Sequence, residues 1–444
     1  MSTQKETIHQ VSFDLQHLMK GIELVRTVMP TKPILYQLEN ISVKILAAKG
    51  KAILYSTDLQ VNLLAILDIK EASSSPAPSV EATGDFTFLL SKKLLAFLDK
   101  LDEVTDVTLE YKLVDTEKIN KDGKPVIKYT VKVIAGKENT LNTSESYETF
   151  PVAFEAPEGY GLLMELPFSV MQQRFKLVKD FRNKDELRPN QQYICINPTS
   201  TEQCDVVATD AHRLIRLEME CGLAVDVQRD TEGAVLFPPT VVDVLLKLPK
   251  LDTVALYVGI SKEKNDAYIS DLKRHNERHN KGEAPRVPSS DLTRIVFDYG
   301  DIKAELVYRF EERYPNYPVV IPKDQPIRFE MDRAKLLKLI DKAMLSSNQT
   351  TMLGKFSFGA ELKITAEDID METEYEGTMT AMNVGGNPCD FDAIGFNMKF
   401  LTQCLKAKVF EGSSVVFEMS TPSRALTMPC DNGQLLLMPL MIQN

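Results

Sequence analysis

Residues 206–217 read VVATDAHRLIRL. They place Asp210 shortly before His212 and Arg213 in a run otherwise built like a β-strand. One reading is a catalytic pair, in which the carboxylate orients the imidazole toward a nucleophile or a metal. The other is a polar corner between strands, in which the Asp oxygen accepts backbone N–H groups. A similar line, AILYSTDLQVNLLAIL, occupies residues 52–67, with Thr57 and Asp58 in the same place and Gln60 where His212 stands. A third, weaker copy is ELKITAEDIDMETEYE at 361–376. Strand alternation sets no Ser, Cys or third ligand beside Asp210. The Thr-Asp pair recurs without the histidine, so it reads as a structural corner, and no catalytic residue is expected.

The corner belongs to a longer repeat. Upstream of each copy lies an amphipathic helix pattern: FDLQHLMKGIELVRTVM from Phe13, FSVMQQRFKLVKDF from Phe168 and FEMDRAKLLKLIDKAM from Phe329. In the first, Leu15, Leu18, Met19, Ile22 and Val25 recur at the spacing of one buried helical face. Downstream lies a second short helix: LLSKKLLAFLDKL from Leu89, FPPTVVDVLLKL from Phe237 and GFNMKFLTQCLKA from Gly395. Between them the sequence alternates and is rich in β-branched residues, as strands require. The expected fold class is α+β, with three similar domains, each packing two helices against antiparallel sheets. Turn-rich boundaries at 155–161 and 322–326 give domains 1–156, 157–323 and 324–444. Segments 71–82, 120–125 and 261–291 read as insertions, the last of them polar and charged.

Composition bounds the function. The 444 residues are 43% hydrophobic and 26% charged, ordinary values, and no apolar run is long enough for a membrane span. The N-terminus MSTQKETIHQ has no apolar signal core, so a cytoplasmic location and no membrane partner are expected. Cys195, Cys204, Cys221, Cys389, Cys404 and Cys430 are widely and irregularly spaced. That argues against zinc and against a disulfide framework. His275 and His279 stand at helical spacing without a third ligand, and no phosphate loop or paired-carboxylate motif occurs, so no metal and no cofactor are expected.

The net charge of −11 at first argues against nucleic acid. The six repeat helices, taken as 14–29, 91–101, 169–182, 239–250, 332–345 and 397–408, contradict it: they carry 18 lysines and arginines against 7 aspartates and glutamates. Lys335, Lys338 and Lys342 form one stripe opposite Leu336, Leu337, Ile340 and Ala343, and Lys176 and Lys179 stand opposite Phe175 and Val178. Any single exposed helix can carry such lysines as surface patterning. Five of six with one sign, in an acidic chain, indicate a basic helical surface that contacts phosphates without reading bases.

These marks resemble a known family. TKPILYQLENI at 31–41, STDLQVNL at 56–63, ATDAHRL at 208–214, RYPNYPVVIP at 313–322, IGFNMKFLTQCLKA at 394–407 and the terminal LLLMPLMIQN are similar to the bacterial DNA sliding clamp, the β subunit of DNA polymerase III holoenzyme. This chain resembles a divergent member with insertions. The resemblance implies a homodimeric head-to-tail ring that encircles double-stranded DNA without sequence specificity. It implies no enzymatic activity, and tethering of the replicative DNA polymerase, the clamp loader and other proteins bearing a short hydrophobic motif. The partner pocket it implies comprises Thr209, Ala211, His212, Arg213, Leu214, Pro315, Val319, Val320, Phe400, Leu436, Leu437, Met438, Pro439 and Leu440. Three departures from the family pattern bear on partner preference: Ala211 replaces the usual Gly, Val319 stands where a basic residue is common, and Gln191 where an apolar wall residue is expected. The implied DNA-facing cations are Lys20, Arg26, Lys92, Lys93, Arg174, Lys176, Lys179, Lys247, Lys335, Lys338, Lys342, Lys399 and Lys406. The implied dimer contacts are Phe150, Met344 and Leu345, with Ser346 less apolar than that edge needs. The alternative is a clamp-derived accessory or mobile-element module that binds replication proteins without forming a stable ring.

Overall fold

The computed structural model describes residues 6–75, 85–101, 104–119, 125–136, 139–144, 151, 161–224, 234–260, 262–277, 291–310, 313–385 and 387–442. The six expected helices form, each shorter than its pattern: α1 (Leu15–Arg26), α2 (Lys92–Leu98), α3 (Phe168–Val178), α4 (Pro239–Leu245), α6 (Arg333–Ala343) and α7 (Met398–Leu405). A further helix, α5 (Lys262–Glu277), forms within the polar, charged segment 261–291 read as an insertion. Its sequence, KEKNDAYISDLKRHNE, has almost no apolar stripe, so it follows from residue propensity rather than from a buried face. Polar residues cap the repeat helices: Asp14 accepts from His17 N at 3.0 Å, Asp332 from Lys335 N at 2.7 Å and Asn397 from Phe400 N at 3.0 Å. Leu15, Leu18, Ile22 and Val25 of α1 and Leu336, Ile340 and Ala343 of α6 are buried as expected, whereas Met19 is half-buried.

Two compact units make up the chain, Met1–Phe168 with Asp243–Phe310, and Ser169–Val242 with Glu311–Asn444. In the first, an antiparallel sheet runs in the order Glu71–Ser75, Glu6–Asp14, Asp106–Ile119, Pro125–Ala135, Asn139–Ser144. A second sheet contains, in order, Gly161–Pro167, Thr253–Gly259, Leu292–Asp298, Lys303–Arg309, Val61–Asp68, Lys51–Thr57, Ile41–Leu46 and Phe86–Leu90. In the second unit a continuous sheet orders Val235–Phe237, Ile194–Pro198, Gln203–Thr209, Arg213–Glu220, Gly433–Leu437, Leu426–Cys430, Ser414–Met419, Ile327–Asp332 and Met382–Asn383. A smaller sheet orders Thr373–Met379, Leu362–Asp368, Leu353–Phe358 and Ile394–Asn397.

One rule generates these orders. In each repeat, three meander strands follow the first helix, and the strand before the second helix pairs with the first of them. The third meander strand then pairs with the last strand of the next repeat: Val61–Asp68 with Lys303–Arg309, and Arg213–Glu220 with Gly433–Leu437. Sheets thus continue from one repeat into the next, which is why compact units and sequence repeats differ in their boundaries. Among the described residues, the third copy of the meander strand, Thr373–Met379, and the first copy of the last strand, Asn139–Ser144, each pair on one side only.

Candidate partner groove and basic helices

The Thr-Asp corner is a fixed hydrogen-bonded device. Thr209 Oγ1 donates to Arg213 O at 2.7 Å and accepts from Ala211 N at 3.1 Å. Asp210 Oδ1 accepts from His212 N at 3.0 Å and Arg213 N at 2.7 Å. The sister corner repeats every bond: Thr57 Oγ1 donates to Val61 O at 3.0 Å and accepts from Leu59 N at 2.9 Å, and Asp58 Oδ1 accepts from Gln60 N and Val61 N at 2.9 and 2.7 Å. In the third copy Asp368 Oδ1 accepts from Asp370 N and Met371 N. In the first two copies the turn forces the residue after the Asp left-handed, with φ of 76° at Leu59 and 72° at Ala211, and in the third the left-handed residue is Glu372, four residues after Asp368, with φ of 51°. A left-handed Ala costs roughly 1–2 kcal/mol relative to its favoured regions, a cost that Gly avoids.

The middle corner adds an arginine. Arg213 and Asp210 are 8% and 9% exposed. Arg213 Nε and Nη2 donate to Asp210 Oδ2 at 3.0 and 2.6 Å, and Nη1 donates to Gln403 Oε1 at 2.6 Å. The guanidinium carbon lies 5.2 Å from the Phe181 ring centre and 5.0 Å from that of Phe400, and the His212 ring stacks on Phe400 at 5.2 Å. Asp210 is therefore committed to the backbone and to Arg213, and it does not orient His212. The dyad reading has no geometry to stand on.

The corner forms one wall of a groove of about 200 Å³, lined by Gln191, Thr209, Ala211, His212, Arg213, Leu214, Pro315, Asn316, Tyr317, Val320, Leu436 and Met438. Of the expected pocket residues, the structure brings together Thr209, Ala211, His212, Arg213, Leu214, Pro315, Val320, Leu436 and Met438. Val319 lies outside the lining and is 76% exposed, because the Tyr317–Val319 turn buries Tyr317 and sends Val319 outward. Leu437 is fully buried: strand alternation gives Leu436 to the groove and Leu437 to the core. Phe400 backs His212 and Arg213 without lining the groove. Pro439 and Leu440 continue past it, and Leu440 N donates to Gly395 O at 2.8 Å. That approach needs the glycine, since a Cβ at 395 would sit 2.6 Å from Leu440 O. Met438 is held by its N–H donating to His212 O at 2.9 Å.

The opposite wall is anchored from below. Tyr317 Oη donates to Asp205 Oδ2 at 2.7 Å and accepts from Asn197 Nδ2 at 2.9 Å. Arg216 Nε also contacts Asp205 Oδ2, at 2.8 Å, and this hydrogen bond raises the Arg216 pKa. Burial, first of all, raises that of the Tyr317 phenol. Sequence pattern could not reveal this tether, because Asp205 and Tyr317 are remote in the chain and the motif around Tyr317 does not show what its hydroxyl meets.

The basic residues divide by unit. In the first, Lys20 donates to Asp301 at 3.1 Å, Arg26 makes two bonds to Asp99 at 2.7 and 3.0 Å, and Lys92 donates to Glu39 at 3.0 Å. Lys93 and Lys247 are exposed. In the second unit Lys176, Lys335, Lys338, Lys342, Lys399 and Lys406 are exposed, while Arg174 and Lys179 are half-buried. No ion pair among the described residues engages these six exposed lysines. At the edge strand, Leu345 is 82% exposed, Met344 and Ser346 are half-buried, and the corner residues Ile369 and Met371 add 83% and 74% exposed apolar side chains. Phe150 lies outside the described residues, as does His279. Among the described residues no group of three His, Cys, Asp or Glu is placed to hold a metal ion, and no helix is long and apolar enough to cross a membrane.

Residues 319–438 match the family model of the DNA polymerase III beta subunit, C-terminal domain. No curated protein sequence matches the chain significantly. The ligand-bound DNA polymerase sliding clamp of Pseudomonas aeruginosa superposes with a TM-score of 0.66 at 17% identity, covering 98% of this chain and 100% of that one. The DNA polymerase III beta subunit of Thermotoga maritima gives 0.64 at 16% identity, with 98% and 100% covered. The Bacillus subtilis sliding clamp gives 0.64 at 13%, with 99% and 100% covered. The chain has the fold of the bacterial sliding clamps over its whole length.

Proposed function

We propose that this chain is a DNA sliding clamp: two copies close head to tail into a ring around duplex DNA and tether the replicative polymerase, without catalysis and without a cofactor. Domains 1–156, 157–323 and 324–444 are its three repeats. The observation that carries the reading is the pairing rule of the sheets. Twice within the chain a third meander strand pairs with the last strand of the following repeat. Thr373–Met379 and Asn139–Ser144 are the two strands that the same rule leaves unmatched among the described residues. Exposed edges of this kind recruit further strands, and a heterologous contact whose rotation closes makes a ring. A second copy supplies both missing partners. The apolar side chains of Leu345, Ile369 and Met371 flank the edge that it covers.

The basic helices then contact phosphates without base readout, and the groove beside ATDAHRL receives a short hydrophobic segment of the clamp loader, the polymerase and other partners. Polarizable Met438 and small apolar walls suit a groove that serves several of them. The test combines solution mass with DNA retention. A dimer that stays on closed circular DNA after loading and runs off once the circle is cut supports the ring. A chain that is monomeric at micromolar concentration, with equal retention on circular and linear DNA, overturns it in favour of the accessory module.

A further inference from the structure

We propose that Gln191 makes the groove select a partner segment with a hydrogen-bond acceptor side chain, of the glutamine, asparagine or carboxylate kind, at the position that meets it. The inference rests on the docking reading above and names the chemistry of the occupant. It starts from the orientation of one amide. Asn183 Oδ1 accepts from the backbone N–H of Asp185 at 2.9 Å, which identifies that atom as the oxygen and leaves Nδ2 as the donor. Asn183 Nδ2 then donates to Gln191 at 2.8 Å, so the atom it meets is Oε1. The reverse assignment would set two NH2 groups against each other. The Gln191 Nε2, with its two N–H groups, is left over, and among the described residues nothing accepts from it.

The loop that carries this amide is held firmly. Asn183 N donates to Gln191 O at 2.9 Å, Gln191 N to Arg188 O at 3.1 Å, and Gln192 Nε2 to Asp185 O at 2.8 Å. Gln191 therefore cannot swing its donors away without breaking the Asn183 bond. Two other polar lining residues use their groups internally: the Thr209 hydroxyl both donates and accepts within the corner, and Arg213 is engaged by Asp210 and Gln403. The Tyr317 hydroxyl is likewise taken by Asp205 and Asn197, and beside His212 and Asn316 the lining is apolar, from Ala211, Leu214, Pro315, Val320, Leu436 and Met438. A purely apolar side chain laid over Gln191 strips water from two donors and returns nothing, whereas an acceptor replaces that water.

The experiment is a peptide scan. Peptides with two spaced large hydrophobes, in which each position in turn is Gln or Leu, are titrated calorimetrically into the full chain and into Gln191→Leu and Gln191→Glu. At one position the wild-type chain should favour Gln over Leu, on the order of tenfold, the size of one hydrogen bond retained or lost. Gln191→Leu should reverse that preference. Against a further peptide with Glu at that position, an acceptor without donors, Gln191→Glu, which still accepts from Asn183 but has no donors of its own, should lose the wild-type preference over Leu while melting like the wild type. The same rank order in all three proteins at every position overturns the proposal and leaves the docking groove standing. Binding of no peptide to any of the three overturns the docking reading itself.

Discussion

Asp210→Asn separates a structural corner from a catalytic one. In the wild type, Oδ1 accepts two backbone N–H groups and Oδ2 accepts two guanidinium N–H groups from Arg213, all but the His212 N–H bond among buried atoms. Asparagine keeps the Oδ1 bonds and turns an NH2 toward the guanidinium, donor against donor. Breaking a buried ion pair on one side costs about 3–5 kcal/mol, since the remaining charge stays buried without its partner. Arg213 keeps Gln403 and the faces of Phe181 and Phe400, which places the loss near the lower end, about 3 kcal/mol. For a unit of this size that is a fall of about 6–12 °C in its melting transition. The internal control is Asp58→Asn: the same two backbone bonds are made there, with no arginine on the other oxygen, so the cost should stay below about 1 kcal/mol. Calorimetric melting of the three proteins, with hydrogen exchange at residues 203–220, reads the difference directly. Equal melting of wild type and Asp210→Asn, or an equal drop for both variants, would show that the Arg213 pair is not what makes the middle corner different.

Other outcomes follow from the same geometry. Ala211→Gly removes a left-handed Ala at φ 72° and should raise stability by up to about 1 kcal/mol, read as a higher melting temperature; a decrease would deny the strain. Replacing Met438 and Leu440 together by Ala should cost on the order of 2 kcal/mol in peptide affinity, most of it from Met438, because only Met438 lines the groove; single variants with equal losses would contradict that division. Lys335, Lys338 and Lys342 changed together to Glu should weaken retention on circular DNA and lower the slope of log affinity against log salt by about 3, with peptide docking intact; an unchanged slope would remove these lysines from the phosphate contact. Burial pushes the Cys404 thiol up to about 12, so at pH 8 roughly one in ten thousand is thiolate and native-state alkylation should reach Cys389 first; fast labelling of Cys404 would contradict its burial.

The corner was legible because it repeats. Thr57-Asp58 and Thr209-Asp210 share two residue types, and those types make the four bonds found in both places. Six helices were legible from their apolar spacing. Their ends were not, since last turns fray into short 3-10 turns such as Lys179–Phe181 and Met344–Ser346. The α5 helix escaped because a helix without an apolar stripe leaves no periodic signal. In the groove, the sequence named the wall residues that belong to motifs, and Gln191 as a departure from an apolar wall, but it did not show what fixes them. Tyr317 is held through Asp205, and Gln191 through Asn183. Val319 and Leu437 were misplaced for a local reason, one by a turn and the other by strand alternation, which motif matching does not register.

Net charge says little about what this molecule attracts, because the balance of paired and unpaired cations differs between its parts. Lys20, Arg26 and Lys92 each have a carboxylate of their own unit at hydrogen-bond distance. The side chains of Lys335, Lys338, Lys342, Lys399 and Lys406 have none among the described residues. An exposed pair such as Lys20 with Asp301 is worth at most about 1 kcal/mol, so a phosphate can displace it, but the displaced carboxylate stays nearby and repels. An unpaired lysine meets a phosphate without that opposition and releases a counterion when it does. In the proposed ring, α6 and α7 therefore set the salt dependence of duplex contact, while α1 and α2 contribute less than their lysine content suggests. In the same proposed ring, the acidic excess, which lies off the repeat helices, keeps polyanions away from the rest of the surface and leaves the helices as the place where they bind.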